Sequence, residues 1–527
     1  MMRAALLLAV AAAAPAAELY RVAGVIVDSQ TGSPIANASL SLSDSDQPRG
    51  GMVTVSGPDG SFSFDAPRGK FRLTSVIAGG RQVFGQMNLL SGMGTAVITG
   101  PDQDTAHLVF RWHRLAAIAG RVVDDQGEPV VNAHVVALCA GVIAGHARVT
   151  PASYAWTDDR GEYRIWSLPD AKYYLVVTAE PWWNAQPAHR LGPYAQAGFA
   201  VTYYPGTSDP ARATPLAVQP GDEARADFVL TAVTAAKVTV ACDNCDSAAE
   251  LPPQPRGKLT LSVIAQGIGG TETNVKQETD YRWPTELTGL LPGHYLLRLF
   301  DARPAVPIMA ERSIDVGAGD MTVSLSLRPP TAVGGSVTFK NSDARPAGSL
   351  VIRLEEESAK WYTTGAVKPD GSFRVSPVRP GKYRVSAYGG AYHIDTVRVG
   401  DVPLVGGVLN VEDGADVRLN VVVTNESGRL KGFAVRDGRP MENMLIVLAP
   451  AGGRAGYANQ GFQTDSDGSF DWPTLSVGDY LLFAIDDPTI AFADADVIKP
   501  YLAQAKPIRI EPGKTYEENV PVQPMVK

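Results

Sequence analysis

"TDSDGSFDWPTLSVGDYLLFAI", residues 464–485, places an Asp-Gly pair ahead of two stretches in which apolar and polar residues alternate. Glycine reaches left-handed φ at no steric cost and the aspartate before it can bond its own backbone, so the segment reads as a β-hairpin. Related stretches are "GPDGSFSFDAPRGKFRLTSV" from Gly57, "TDDRGEYRIWSLPDAKYYLVVTA" from Thr157 and "KPDGSFRVSPVRPGKYRVSAY" from Lys368. In three of the four copies two aromatic residues lie ten positions apart, namely Tyr163 and Tyr173, Phe373 and Tyr383, and Phe470 and Tyr480, whereas Phe62 and Phe71 are nine apart. Along the second strand Tyr383, Val385 and Ala387 point one way while Arg384 and Ser386 point the other, which gives one core face and one solvent face.

A second motif precedes each hairpin: "GVIVDSQTGSPIANASLSL" from Gly24, "GRVVDDQGEPVVNAHVVAL" from Gly120, "GSVTFKNSDARPAGSLVIRL" from Gly335 and "GFAVRDGRPMENMLIVLAP" from Gly432. Each reads as strand, polar turn, strand. A third closes each unit with a glycine turn and a final alternating strand, as in "PGDEARADFVL" from Pro220, "GAGDMTVSLSL" from Gly317, "EDGADVRLNVVV" from Glu412 and "EPGKTYEENVPV" from Glu511. The units fall at 18–114, 115–232, 233–330, 331–424 and 425–527, each near the size of a seven-stranded sandwich, about 100 residues. The third departs most: it keeps Pro292, Gly293 and Tyr295 but lacks the Asp-Gly turn. Solenoid repeats of about 20 to 50 residues cannot bury a core alone, whereas units of this size each can. The expected fold is all-β, a tandem array of about five Ig-like sandwiches after a signal peptide.

Composition agrees. At 527 residues the chain exceeds one hydrophobic core, and 45% apolar with 19% charged residues excludes a disordered chain. A net charge of -8 with scattered Lys and Arg leaves no electrostatic footprint for nucleic acid. The N-terminus "MMRAALLLAVAAAAPAAELY" has Arg3, an apolar run from Ala4 to Ala14 and small residues at Ala14-Pro15-Ala16, and reads as a signal peptide over 1–17. Its apolar run is shorter than the roughly 20 residues that span a bilayer, and no later segment is long and uncharged enough. No cysteine stands at the cleavage point to carry a lipid anchor. The expected location is the periplasm, the extracellular space or the cell surface.

Gly120, Val122, Asp124, Gly127, Pro129, Ala133, Val135 and Leu138, followed by Thr157, Asp158, Gly161 and Tyr163, resemble the carboxypeptidase regulatory-like domains of the transthyretin-like (prealbumin-like) sandwich class. Ala171 stands where that family has glycine before Tyr173. The second unit matches best, the first and fifth well, the fourth moderately and the third poorly. The resemblance implies a fold far more than a function, since these residues shape turns and fill cores. In such families the module accompanies a zinc peptidase, an outer-membrane transporter, or surface and glycan-binding proteins. The related collagen-adhesin B-type domains can cross-link a lysine to an Asn or Asp beside an acid; Lys431 and Asn519 occupy first and last strands of the fifth unit, with no acid placed beside them.

No constellation for catalysis emerges. The seven histidines (107, 113, 134, 146, 189, 294, 393) form neither H-E-x-x-H nor H-x-x-E, and there is no nucleophile elbow, P-loop or dinucleotide fingerprint, so neither catalytic residue, metal ligand nor cofactor is expected. "DSDGSF" at 465–470 resembles the start of a calcium loop but lacks its closing Glu and sits where the repeats require a turn. Cys242 and Cys245 read as a local disulfide, and Cys139, in "NAHVVALCA", as a buried thiol. The irregular feature is an insertion at 181–213 in the second unit, carrying Trp182, Trp183, Tyr194, Tyr203 and Tyr204. Its rings either stack on an extended ligand such as a glycan or pack the loop against its own sheet, the simpler reading. The expected function is an exported, non-catalytic binding, adhesion or scaffold element of the cell envelope whose partner is a glycan or a cell-surface protein; the alternative is a carbohydrate-binding protein that uses this insertion, and an enzyme of unrecognised type comes third.

Overall fold

The computed structural model describes residues 18–526 apart from 46–49, 79, 88, 91–92, 144, 182–196, 244–258, 280–282, 302–307, 327–330, 341–349, 357–361, 390–391, 405–407, 413 and 453–458. Residues 1–17, which the sequence marks as an expected signal peptide, lie outside them. Among the described residues no helix is long and apolar enough to cross a membrane. The chain is all-β, built as successive sandwiches with separate cores.

One pairing recurs throughout. In each sandwich the first strand lies parallel to the last: Leu19–Asp28 beside Leu108–Trp112, Ala116–Asp124 beside Glu223–Arg225 and Phe228–Leu230, Ala236–Cys242 beside Met321–Leu325, Ala332–Phe339 beside Asp416–Thr424, and Ser427–Arg436 beside Thr515–Gln523. On its other edge the first strand pairs antiparallel with a hairpin strand, for example Ala116–Asp124 with Glu162–Leu168. The facing sheet of the second sandwich centres on His134–Ile143 between His146–Trp156 and Ala171–Thr178. The third unit shares this plan despite its divergent sequence, with Thr285–Leu290 taking the place of the missing Asp-Gly hairpin strand.

The repeated residues have physical reasons. Gly60, Gly161, Gly371 and Gly468 all take positive φ (74° to 85°) at the hairpin turn, and each donates its N–H to the carbonyl three residues back. The first-strand glycines act differently: a Cβ on Gly24, Gly120, Gly335 or Gly432 would sit 1.7–1.9 Å from a carbonyl oxygen of the parallel last strand. Only glycine lets the two backbones approach so closely. The tyrosine of the second hairpin strand is buried, and its hydroxyl donates to the carbonyl four residues earlier: Tyr173 to Pro169, Tyr295 to Leu291, Tyr383 to Arg379 and Tyr480 to Ser476, at 2.8–2.9 Å. Burial pushes the Tyr295 and Tyr383 phenols up to about 12, so they stay neutral donors. In the first unit Phe71 keeps the ring and forgoes the bond. Tyr383→Phe should therefore leave the Arg379 carbonyl short of a partner and cost about 1–2 kcal/mol, read as faster amide exchange along Gly381–Tyr388.

The units do not hang as a string, because the fifth returns to the first two. Lys70 Nζ donates to Asp465 Oδ2 at 2.6 Å, and Gln463 Nε2 donates to Gly85 O at 2.6 Å and Thr95 Oγ1 at 2.9 Å. Ser466 donates its N–H to Ala96 O at 2.9 Å and accepts from Ile98 N at 3.1 Å, while Thr95 Oγ1 bonds Asn443 Oδ1. The turn reading of "DSDGSF" holds, Asp465 N–H meeting Ser469 O and Gly468 N–H meeting Asp465 O, and the same turn is the fifth unit's contact with the first. Between the strands Gly478–Ile485 and Lys506–Ile510 the chain makes an excursion, including the short helix Ala495–Ile498, that the hairpin pattern did not foretell. Phe492, Ile498 and Tyr501 of this excursion form a second core with Leu445, Val447, Phe483 and Ile485, into which Met93 of the first unit packs. It also reaches the second unit, where Ala493 N–H donates to Gly145 O at 2.9 Å and Asp494 Oδ1 lies 3.2 Å from His146 Nδ1.

Candidate functional site

Among the described residues, the outer face of the second sandwich carries an exposed aromatic surface. In the pairing of His134–Ile143 with His146–Trp156, His134 lies opposite Trp156 and Val136 opposite Tyr154, so alternation turns all four away from the core residues Val135 and Ala137. The His134 ring stacks on Trp156 at 4.3 Å between centroids and meets Tyr154 edge-on at 5.1 Å. Burial holds the His134 imidazole below its ordinary pKa. Trp156 and Tyr154 themselves are each more than half exposed.

The fourth sandwich repeats the device on the matching strands. The Arg353 guanidinium, on Val351–Glu356, lies over the Tyr362 ring at 4.0 Å and near that of Tyr388 at 5.3 Å, and both tyrosines are more than half exposed. A cation between two rings adds about 0.5–1 kcal/mol at an exposed site and holds both side chains in place.

The insertion of the second unit behaves otherwise in the part that is described. Tyr203 is 4% exposed and its strand pairs with Ala171–Thr178, while Tyr204 is half-buried with its ring edge-on to Phe228 at 6.1 Å. Both rings pack within the sandwich, Tyr203 on its sheet and Tyr204 against Phe228. Trp182, Trp183 and Tyr194 lie outside the described residues. Sequence reasoning passed over Tyr154 and Trp156, although their spacing of two in an alternating strand was a visible signal.

Other expectations resolve by geometry. Cys139 is a buried free thiol, held above its usual pKa by burial; Cys242 is disulfide-bonded, and Cys245 lies outside the described residues. The parallel register of the fifth unit sets Lys431 opposite Glu517 and Asn519 opposite Phe433. Lys431 Nζ lies 2.5 Å from Glu517 Oε1 in a solvent-exposed ion pair.

No curated protein matches the chain. Solved structures similar to it include the streptococcal ancillary pilin (12% identity, 55% of this chain and 100% of that one, TM-score 0.19) and a minor pilin of Streptococcus agalactiae (12% identity, 41% and 96%, TM-score 0.22). The major pilin subunit of Bacillus cereus is similar at 10% identity over 77% of this chain and 99% of its own, with a TM-score of 0.14. Within the chain, residues 117–231 match the family model of the carboxypeptidase regulatory-like domain.

Proposed function

We propose that the chain is an exported, non-catalytic binding and scaffold protein of the cell envelope, holding rigid sandwich faces toward a glycan or a surface protein. The observation that supports this reading best is the outward strip of Tyr154, Trp156 and His134, aromatic rings pre-oriented by mutual stacking on a sheet whose other face is core. Flat faces on a rigid support bind with little ordering entropy. Tyr154→Ala combined with Trp156→Ala should leave the melting temperature nearly unchanged, because both rings are exposed, and weaken retention on isolated envelope fractions at least tenfold. The alternative reading, a carbohydrate-binding protein working through the insertion, has its own arm: Trp182→Ala with Trp183→Ala. Retention lost only in that arm would favour the insertion, and retention unchanged in both would remove aromatic binding from the proposal.

A further inference from the structure

A cleft of about 510 Å³ lies between the first and second sandwiches, a size that fits one or two sugar rings. Trp112, buried at the end of the first unit, and Trp166, more than half exposed on the second, both line it. The polar lining holds two paired guanidiniums together with Asp222, whose Oδ2 accepts from Gln219 N at 3.1 Å. Arg114, from the segment joining the units, donates through Nε to the buried carboxylate of Asp28, whose other oxygen accepts from Gln30 N at 3.0 Å and Thr31 N at 2.9 Å. Arg164 donates to Glu223 Oε2 through Nη2 at 3.0 Å and Nε at 3.3 Å. An exposed pair such as Arg164–Glu223 adds little stability, but both pairs fix where donors and acceptors point. Two lining residues, Ala78 at φ 47° and Ser167 at φ 64°, take left-handed backbone without being glycine, a conformation that costs about 1–2 kcal/mol each and here shapes opposite sides of the cleft.

We infer that this cleft is a saccharide-binding site, taking a neutral sugar with its ring face on the Trp166 indole and its hydroxyls among Arg114, Arg164 and Glu223. Charge selects the class. Each guanidinium already faces a carboxylate and Asp222 adds a further acid, so an anion meets carboxylates and a cation meets the two guanidiniums, whereas hydroxyls both donate and accept and find partners among all of them. The exposed indole supplies the apolar face that a pyranose ring covers. This site is distinct from the Tyr154–Trp156 strip, and the two can succeed or fail separately.

The test is calorimetric titration of the full chain with maltohexaose, cellohexaose and N-acetylchitohexaose at millimolar concentration. At least one should bind. Trp166→Ala should weaken it tenfold or more at an unchanged melting temperature, Trp166→Phe should retain part of the affinity, and Tyr154→Ala with Trp156→Ala should leave it intact. Binding by none of the three, or binding indifferent to Trp166→Ala, would overturn the inference. Tighter binding of an acidic oligosaccharide or an acidic peptide than of any neutral sugar would overturn the assignment by charge.

Discussion

Gly120→Ala should destabilise the second sandwich by about 3 kcal/mol or more. The added methyl would lie 1.8 Å from the Ala226 carbonyl oxygen, a backbone atom of the parallel partner that cannot turn aside as a side chain can. Relief requires the two strands to part, and with them the core residues Ile118, Val122 and Phe228. Gly127→Ala separates this clash from simple backbone strain. Gly127 has φ 86° with nothing within 4 Å of its would-be Cβ, so only the left-handed penalty of about 1–2 kcal/mol applies. Amide exchange resolved by segment should show strong loss of protection across 116–230 for Gly120→Ala and a small local change for Gly127→Ala. Equal effects would mean that close approach of the first and last strands is not what requires glycine.

Lys70→Met should open the contact between the first and fifth units in a pH-dependent way. Burial pushes the Asp465 carboxyl up to about 6, with Lys70 pulling it down, Asp467 pushing it further up and the Ala96 backbone contributing a small favourable bond. A carboxyl whose folded pKa lies above its ordinary value binds the proton more tightly in the closed contact than in the open one. The closed form is therefore favoured most below about pH 4 and loses on the order of 2–3 kcal/mol as pH rises to about 6. Above that, the ionised group relies on Lys70, and without this cation a buried charge is left uncompensated. Small-angle scattering should show a larger radius of gyration for Lys70→Met at pH 8 than at pH 4.5, the wild type changing little. Asp465→Asn should make the contact indifferent to pH between 4 and 8. A Lys70→Met protein equally compact at both pH values would show that Gln463, Ser466 and Met93 hold the contact unaided.

Fold class was legible because its signals are local. Asp-Gly turns, alternating strands and the aromatic pairs each occupy fewer than about twenty residues, and they recur. The third unit read weakly because a turn without Asp-Gly carries no short-range marker, yet Pro292, Gly293 and Tyr295 were enough to mark the strand whose tyrosine hydroxyl bonds Leu291 O. Contacts between units were not legible. Lys70 and Asp465 are 395 residues apart, and nothing in either strand's pattern differs from that of an exposed lysine or an ordinary turn aspartate. The aromatic strip was hard to read for a similar reason: an insertion attracts attention by its irregularity, whereas Tyr154 and Trp156 stand in a strand whose alternation looks like any other.

The parallel pairing of first and last strands bears on how the molecule carries a load. Where the chain enters and leaves a sandwich along two parallel neighbours, tension applied through the termini slides one strand along the other. Every hydrogen bond of that ladder is then strained at once, whereas antiparallel terminal strands would peel apart bond by bond. Five such ladders follow one another along this chain, so once the contact of the fifth unit with the first two has parted, a pull on its ends meets shear resistance in each module.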